Sequence, residues 1–179
     1  MPDPQRIKTK ICLIGEGAVG KTSRIRRFVQ DEFDDRYITT LGAKVSKRQV
    51  AFELPGPKQV QMDMTVWDIM GEKGFRELLK EAYFHGAQGV LAVCDVTRRD
   101  TLKDLDDWVA AVVKVTGHVP IEFLANKADL KDQAKVSEGD VKQLADSHKS
   151  TFLFTSAKTG ENVEVGFLKL AEMIAARAI

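Results

Sequence analysis

Short apolar runs alternate with stretches of helical periodicity along most of this chain. Six runs have the length and apolar character of β-strands: Ile7–Ile14, Val45–Leu54, Val60–Trp67, Gly89–Asp95, Ile121–Asn126 and Thr151–Ser156. The turn sequence Pro55-Gly56-Pro57-Lys58 separates the second run from the third, which predicts an antiparallel hairpin.

Helical spacing of apolar residues fills most intervals between the strands. One series, around Val141 and Leu144, follows Ser137 and Asp140, which are placed for a capping box. The other series are Ile25, Phe28 and Val29; Leu102, Leu105, Val109, Val112 and Val113; and Val163, Phe167, Leu170, Ala171 and Ile174. Strands alternating with helices require mostly parallel pairing. We therefore predict one three-layer α/β/α domain over residues 1–179, with a six-stranded sheet, one antiparallel edge strand, about five helices and a flexible N-terminus at residues 1–6.

Composition narrows the class of protein. A net charge of +1 argues against a nucleic-acid binder. Cys12 and Cys94 lie inside apolar runs and indicate buried thiols in a reducing compartment. The chain has no apolar stretch of membrane-spanning length, no signal-peptide core and no C-terminal cysteine for prenylation, and Met1-Pro2 excludes N-myristoylation. We expect a cytoplasmic protein without a covalent membrane anchor in this chain.

A phosphate-binding motif follows the first strand. The pattern G-x-x-x-x-G-K-[ST] is matched by Gly15, Glu16, Gly17, Ala18, Val19, Gly20, Lys21 and Thr22, with Ser23 next. Glycines let backbone N–H groups turn toward phosphate oxygens, and the following helix N-terminus adds partial positive charge. Lys21 is placed to reach the β- and γ-phosphates, and Thr22 to bind Mg²⁺. The alternative is a glycine-containing strand–helix turn with a chance lysine.

A second motif, Asn126-Lys127-Ala128-Asp129, directly follows the buried strand residues Ile121–Ala125 and suggests which base is bound. The Asp129 carboxylate can accept hydrogen bonds from N1–H and the exocyclic amine of guanine, a donor pair that adenine lacks. Asn126 can tie this loop to the phosphate loop, and the stem of Lys127 can cover the base. The rival is an ATPase or kinase that binds adenine. Ser156, Ala157 and Lys158 follow the last strand, where a backbone N–H would reach the guanine O6.

Together with Trp67-Asp68-x-x-Gly71, these motifs stand in the order and spacing of the Ras superfamily of small GTPases, which the chain resembles from Ile7 to Ile174. It looks most similar to the Rab-like branch through Thr40-Leu41-Gly42, Trp67, Phe75-Arg76 and Asp95-Val96-Thr97. The resemblance implies GTP as substrate, GDP as product, Mg²⁺ as cofactor, and an effector, an exchange factor and a GTPase-activating protein as partners at two switch loops.

The resemblance also implies roles for residues of those loops. Phe33 would stack on guanine, with a core aromatic at a helix end as the rival interpretation, and Tyr37 would close over the phosphates. Thr40 would ligate Mg²⁺ and sense the γ-phosphate, although Thr39 beside it offers another register. Asp68 would hold Mg²⁺ through a water, and Gly71 would donate a backbone N–H to the γ-phosphate. Release of that phosphate would free both loops.

One position departs from the family. The second switch reads Asp68-Ile69-Met70-Gly71-Glu72, whereas most relatives have glutamine at the last position. Glutamate can accept a hydrogen bond from the attacking water but cannot donate one, and its charge faces an anionic phosphate. We expect slow intrinsic GTP hydrolysis, or an interaction module in which hydrolysis is lost. Glu72 can also be merely an exposed side chain. Gly17 keeps room for an arginine supplied by an activating protein.

Overall fold

The computed structural model describes residues 3–15, 35–38, 43–56, 58–69, 77–156 and 158–178. Within these ranges the strands are β1 (Gln5–Ile14), β2 (Asp35–Ile38), β3 (Ala43–Leu54), β4 (Lys58–Ile69), β5 (Gly89–Asp95), β6 (Ile121–Asn126) and β7 (Thr151–Phe154). The helices are α1 (Glu77–Phe84), α2 (Arg99–Thr116), α3 (Glu138–Ser147) and α4 (Val163–Ala178), with a 3₁₀ turn at Lys131–Gln133.

The strands form a single sheet in the order β2-β3-β4-β1-β5-β6-β7. Strands β4, β1, β5, β6 and β7 pair in parallel, and β3 is antiparallel to both of its neighbours. The predicted hairpin is confirmed, with Leu54 of β3 opposite Lys58 of β4. The mostly parallel α/β prediction is therefore confirmed.

The sheet has one strand more than the six predicted. β2 pairs along the outer side of β3, so the antiparallel strand β3 is not at the edge as expected. With four residues, β2 is too short for alternation of apolar and polar positions to reveal it. It is defined by its antiparallel pairing with the start of β3, for example Tyr37 opposite Lys44.

Helices cover both faces of the sheet, as the three-layer prediction requires. In β5, Val90, Ala92 and Cys94 belong to the core cluster under α2 and α3, whereas Leu91 and Val93 belong to the cluster under α4. Successive strand side chains point to opposite faces, so a strand buried on both sides is apolar throughout. This is why the parallel strands were recognisable as continuous apolar runs.

The start of one helix agrees with the prediction from sequence, and the start of the first strand differs from it. Ser137 and Asp140 form the predicted capping box at the start of α3, with bonds of 2.9 and 3.1 Å between side chain and backbone. β1 begins at Gln5, which pairs with Val60, so residues 5 and 6 are part of the sheet rather than a flexible N-terminus. The helix predicted around Ile25 lies outside the described residues.

A buried arginine joins β3 to α4. Arg48 of β3 is 5% exposed, forms an ion pair with Glu164, and lies over the ring of Phe167 at 4.9 Å from its centroid. The pairing fixes the hairpin against the C-terminal helix. Among the described helices, none combines the length and hydropathy that crossing a membrane demands.

Candidate functional site

Polar residues stand where the parallel strands end. Gly15 follows β1, Asp68 lies at the end of β4, and Asp95 and Asn126 are the last residues of β5 and β6. Ser156 follows β7. Because parallel strands point the same way, these residues share the carboxyl edge of the sheet, where ligands bind in open α/β folds.

Gly15 is the residue of the predicted phosphate loop that the structure describes. Its φ is 133°, in a region that side chains larger than hydrogen rarely adopt, and it is buried directly after β1. The chain therefore leaves the sheet through a turn that favours glycine. Most other phosphate-side predictions lie outside the described residues: Glu16, Gly17, Ala18, Val19, Gly20, Lys21, Thr22, Ser23, Phe33, Thr40, Gly71 and Glu72.

Besides Gly15, two predicted phosphate-side residues are described. Tyr37 lies in β2, opposite Lys44 of β3. Asp68 is 6% exposed and stands beside Leu13 of β1, close in the sheet to the start of the glycine loop. A carboxylate there suits a magnesium site, because Mg²⁺ prefers oxygen ligands and retains several waters. No group of three His, Cys, Asp or Glu residues within the described ranges has metal-site spacing, and the expected magnesium set contains a single carboxylate.

The predicted guanine side is described almost completely, and it centres on the end of β6. Asn126 is buried, and its Oδ1 accepts a hydrogen bond from the Thr155 hydroxyl at 3.2 Å. Lys127 has a φ of 67°, which is uncommon for a residue with a long side chain. Its Nζ lies 2.7 Å from Oδ2 of Asp95. Two strands and the following loop are thus joined through polar side chains.

Asp95 is a site residue that the sequence analysis did not assign. It is fully buried, and its Oδ1 accepts bonds from the N–H and the hydroxyl of Thr97 at 2.8 and 2.6 Å. Burial alone would raise the pKa of Asp95, but the bonds from Lys127 and Thr97 outweigh it and lower the pKa. Asp95 is therefore ionised at neutral pH. The Asp95-Val96-Thr97 sequence was the signal available, although it served only to suggest a branch of the family.

The loop after β7 completes this corner of the sheet. The Ser156 hydroxyl donates to Oδ1 of Asp129 at 2.9 Å, and the Ala128 N–H donates to the Thr155 carbonyl at 3.0 Å. Asp129 is exposed, so its carboxylate is open to a ligand. Lys158 is exposed in the next turn, and Ala157 lies outside the described residues.

This arrangement suits guanine chemically. A carboxylate has about four acceptor positions, so the bond from Ser156 leaves Asp129 able to accept two more hydrogen bonds. Lys127 contributes an apolar stem of four carbons whose charged end is already held by Asp95.

A cavity of about 710 Å³ lies at the other end of the sheet and is separate from this site. It is lined by residues at the start of β6 and near the C-terminal ends of the helices, including Ile121, Val113, Ser147 and Arg177. It contains none of the predicted nucleotide-binding residues. Its size reflects the junction of three helices with the sheet.

Comparison with known proteins agrees with this geometry. The model of the Ras family matches residues 10–176. The chain is a member of the Ras family. Ras-related protein Rab-27B of Homo sapiens is 31% identical over 175 residues, covering 94% of this chain and 80% of that protein. GTP-binding protein ypt1 of Schizosaccharomyces pombe is 36% identical over 170 residues, with 94% and 80% covered.

Further relatives support the Rab-like branch. Ras-related protein Rab-13 of Rattus norvegicus is 34% identical over 167 residues, which is 92% of this chain and 79% of that protein. The expected resemblance is therefore confirmed, and the chain is a Rab-like, GTP-binding GTPase of the Ras family.

Proposed function

We propose that this Ras-family protein is a GTP/GDP switch whose intrinsic, Mg²⁺-dependent hydrolysis of GTP is slow and whose two switch loops are ordered by the nucleotide. The observation that carries the proposal is the corner formed by the Lys127–Asp95 and Ser156–Asp129 contacts at the ends of neighbouring strands. Both contacts orient groups that suit a guanine base. Lys127, Asp129 and Ser156 belong to motifs that follow one another in the order typical of the family.

Selectivity for guanine rests on Asp129. We expect Asp129→Asn to weaken GDP binding at least about 100-fold, because one guanine donor would face an amide N–H instead of an acceptor. The same variant should gain affinity for xanthosine diphosphate, whose carbonyl at C2 accepts from that amide. Equilibrium titration with both nucleotides measures the exchange of preference.

The matched control is Asp132→Asn, an exposed aspartate in the 3₁₀ turn Lys131–Gln133. It should bind both nucleotides as the wild type does. Equal affinity of the wild type for ATP and GTP would contradict guanine recognition and favour the adenine-binding rival.

At the phosphate end, we assign the roles that the motifs imply. Lys21 and the Gly71 N–H would neutralise charge on the γ-phosphate as a water attacks its phosphorus in line, releasing phosphate and leaving GDP. Thr22, Thr40 and Asp68 would hold Mg²⁺, which supplies positive charge to the phosphates when bound. The buried position of Asp68 at the end of β4 supports its part in this set.

Glu72 is the proposed cause of slow hydrolysis. Its repulsion from the γ-phosphate, roughly 1–4 kcal/mol, favours a position away from the water. We expect Glu72→Gln to raise the single-turnover rate of phosphate release about tenfold, which corresponds to 1.4 kcal/mol. A control Glu138→Gln, at an exposed position in α3, should leave the rate unchanged.

The second candidate function is a GTP-binding interaction module that no longer hydrolyses GTP. Position 72 favours it, since glutamate lacks the donor group of glutamine. Absence of phosphate release from both wild type and Glu72→Gln would support this module. A rate that Glu72→Gln does not raise would show that Glu72 is not the impediment. Gly17 leaves space for an arginine from an activating protein, and effectors and an exchange factor would bind at the same loops.

A further inference from the structure

Asp95 lies next to the guanine-side motif in space, although it precedes that motif in the chain by a helix and a strand. It stands opposite Asn126 in the register of β5 and β6, and the Val96 N–H donates to the Asn126 carbonyl at 3.0 Å. The two strand ends are therefore held together by backbone bonds. This places the Asp95 carboxylate directly beside the residue that follows Asn126, which is Lys127.

The Asp95 carboxylate is itself firmly held. Both polar groups of Thr97 donate to its Oδ1, and the Thr101 hydroxyl accepts from the Asp95 N–H at 2.9 Å. Thr101 is 1% exposed and also donates to the Arg98 carbonyl at 2.7 Å. Rotation of the carboxylate would break bonds that water cannot replace at a fully buried position. Its second oxygen therefore has a fixed direction.

The Lys127 ammonium is the nearest cationic group to that second oxygen, and Nε of Arg98 lies farther from it, at 3.7 Å. The ammonium lies 2.7 Å from Oδ2 of Asp95, while 31% of the Lys127 side chain remains exposed. The contact fixes the far end of a side chain that otherwise samples many rotamers. The middle of the side chain stays accessible to a ligand. Ordering the lysine before the ligand arrives lowers the entropic cost of binding.

We propose that Asp95 is a positioning residue for nucleotide retention, holding the ammonium of Lys127 so that the lysine stem forms a preordered wall of the guanine site. The inference rests on the proposed function, since it assigns Asp95 to the same site. Asp95 acts through Lys127 and not by touching the nucleotide. Loss of the Asp95 carboxylate should therefore speed nucleotide dissociation only when the Lys127 ammonium is present.

The test is a double-mutant cycle on the dissociation rate of a fluorescent GDP analogue, measured by stopped flow. Asp95→Asn is expected to accelerate dissociation about tenfold. In the background Lys127→Met, which removes the ammonium, the same substitution should change the rate less than about twofold. The control Asp106→Asn changes an exposed carboxylate whose Oδ1 lies at a similar distance, 2.8 Å, from Nε2 of His148, and it should leave the rate unchanged.

If Asp95→Asn accelerates dissociation by the same factor with Lys127 and with Met at position 127, the proposal is overturned. Asp95 would then act by stabilising the local backbone through its bonds with Thr97. If Asp95→Asn does not fold, Lys127→Arg and Lys127→Met give an independent answer. Both side chains keep an apolar stem, but only arginine can still donate to Asp95. Dissociation at least about threefold slower from Lys127→Arg than from Lys127→Met is expected, and equal rates would overturn the proposal. A wild type that fails to bind GDP would instead reject the proposed function.

Discussion

Asp95 and Glu122 are two fully buried carboxylates on neighbouring strands, at opposite ends of the sheet. Asp95 ends β5 and accepts two hydrogen bonds from Thr97 in addition to its ion pair with Lys127. Glu122, near the start of β6, accepts one from the Thr151 hydroxyl, and its Oε1 has no hydrogen-bond partner among the described residues. The two carboxylates are therefore equally buried, but Asp95 has more hydrogen-bond donors and charged partners than Glu122.

The two pKa values shift in opposite directions. Burial raises the pKa of Glu122, and neither the Thr151 hydroxyl nor the charge of Lys169 reverses it. Burial acts on Asp95 in the same sense, but Lys127 and Thr97 outweigh it and lower the pKa. Of the two carboxylates, the one at the carboxyl edge of the sheet has the larger number of donors around it. Burial by itself does not tell which carboxylate has a functional role.

The largest expected effect tests the compensated carboxylate. Asp95→Ala should lower the free energy of unfolding by about 3 kcal/mol, because it leaves the Thr97 N–H and the Lys127 ammonium without their acceptor. Urea denaturation at equal GDP concentration measures the change in the free energy of unfolding. The part that comes from a difference in GDP affinity is measured separately and subtracted. The control Asp106→Ala, which removes an exposed hydrogen bond with His148, should cost less than about 1 kcal/mol. Equal losses from both variants would break the comparison.

Removal of the Glu122 carboxylate should instead increase the free energy of unfolding. Glu122→Met is expected to raise the free energy of unfolding by about 1 kcal/mol at pH 8, because it replaces an incompletely bonded buried charge with an apolar side chain of similar length. The Thr151 hydroxyl, on an exposed residue, can then bond to water. Glu172→Met, at an exposed position in α4, is the matched control and should change stability little. A loss of stability from Glu122→Met would show that the Thr151 and Lys169 interactions already compensate for burial.

Sequence reasoning succeeded where the determining interactions are local. The hairpin at Gly56, the capping box at Ser137 and the apolar strand β5 each follow from neighbouring residues, and the structure confirms all three. The motif around Asn126 was expected at the end of a strand, and the structure has Asn126 as the last residue of β6; its contact with guanine stays a prediction. Strand β2 was missed because four residues carry too little periodicity.

The role assigned to Asp95 was missed for a different reason. Its partner Lys127 is brought to it by the parallel pairing of β5 and β6, with α2 between them in the chain. The bond from Thr155 to Asn126 has the same origin, since it joins the ends of β6 and β7. Motifs report the residues that touch a ligand, whereas the residues that orient them depend on tertiary neighbours.

The smallest expected effect is in the pH dependence of stability, where the two carboxylates should act in opposite directions. The lowered pKa of Asp95 means that its contribution is present above the ordinary value of 3.8 and is lost as the pH falls through the folded-state pKa. The raised pKa of Glu122 means that the folded state holds its proton longer than the unfolded state does. Stability should therefore decline as the pH rises above the ordinary value of 4.5, until the folded-state pKa is passed.

Urea midpoints measured between about pH 3 and pH 8 separate these contributions, because each neutral variant removes one of them. The difference between the wild type and Asp95→Asn should shrink as the pH falls below 3.8, where both states become protonated. The difference between the wild type and Glu122→Met should instead grow as the pH rises above 4.5. A pH-independent difference for Glu122→Met would mean that this carboxyl titrates alike in the folded and unfolded chain, despite its burial. The number of neighbouring donors would then no longer explain a difference in pKa between Asp95 and Glu122.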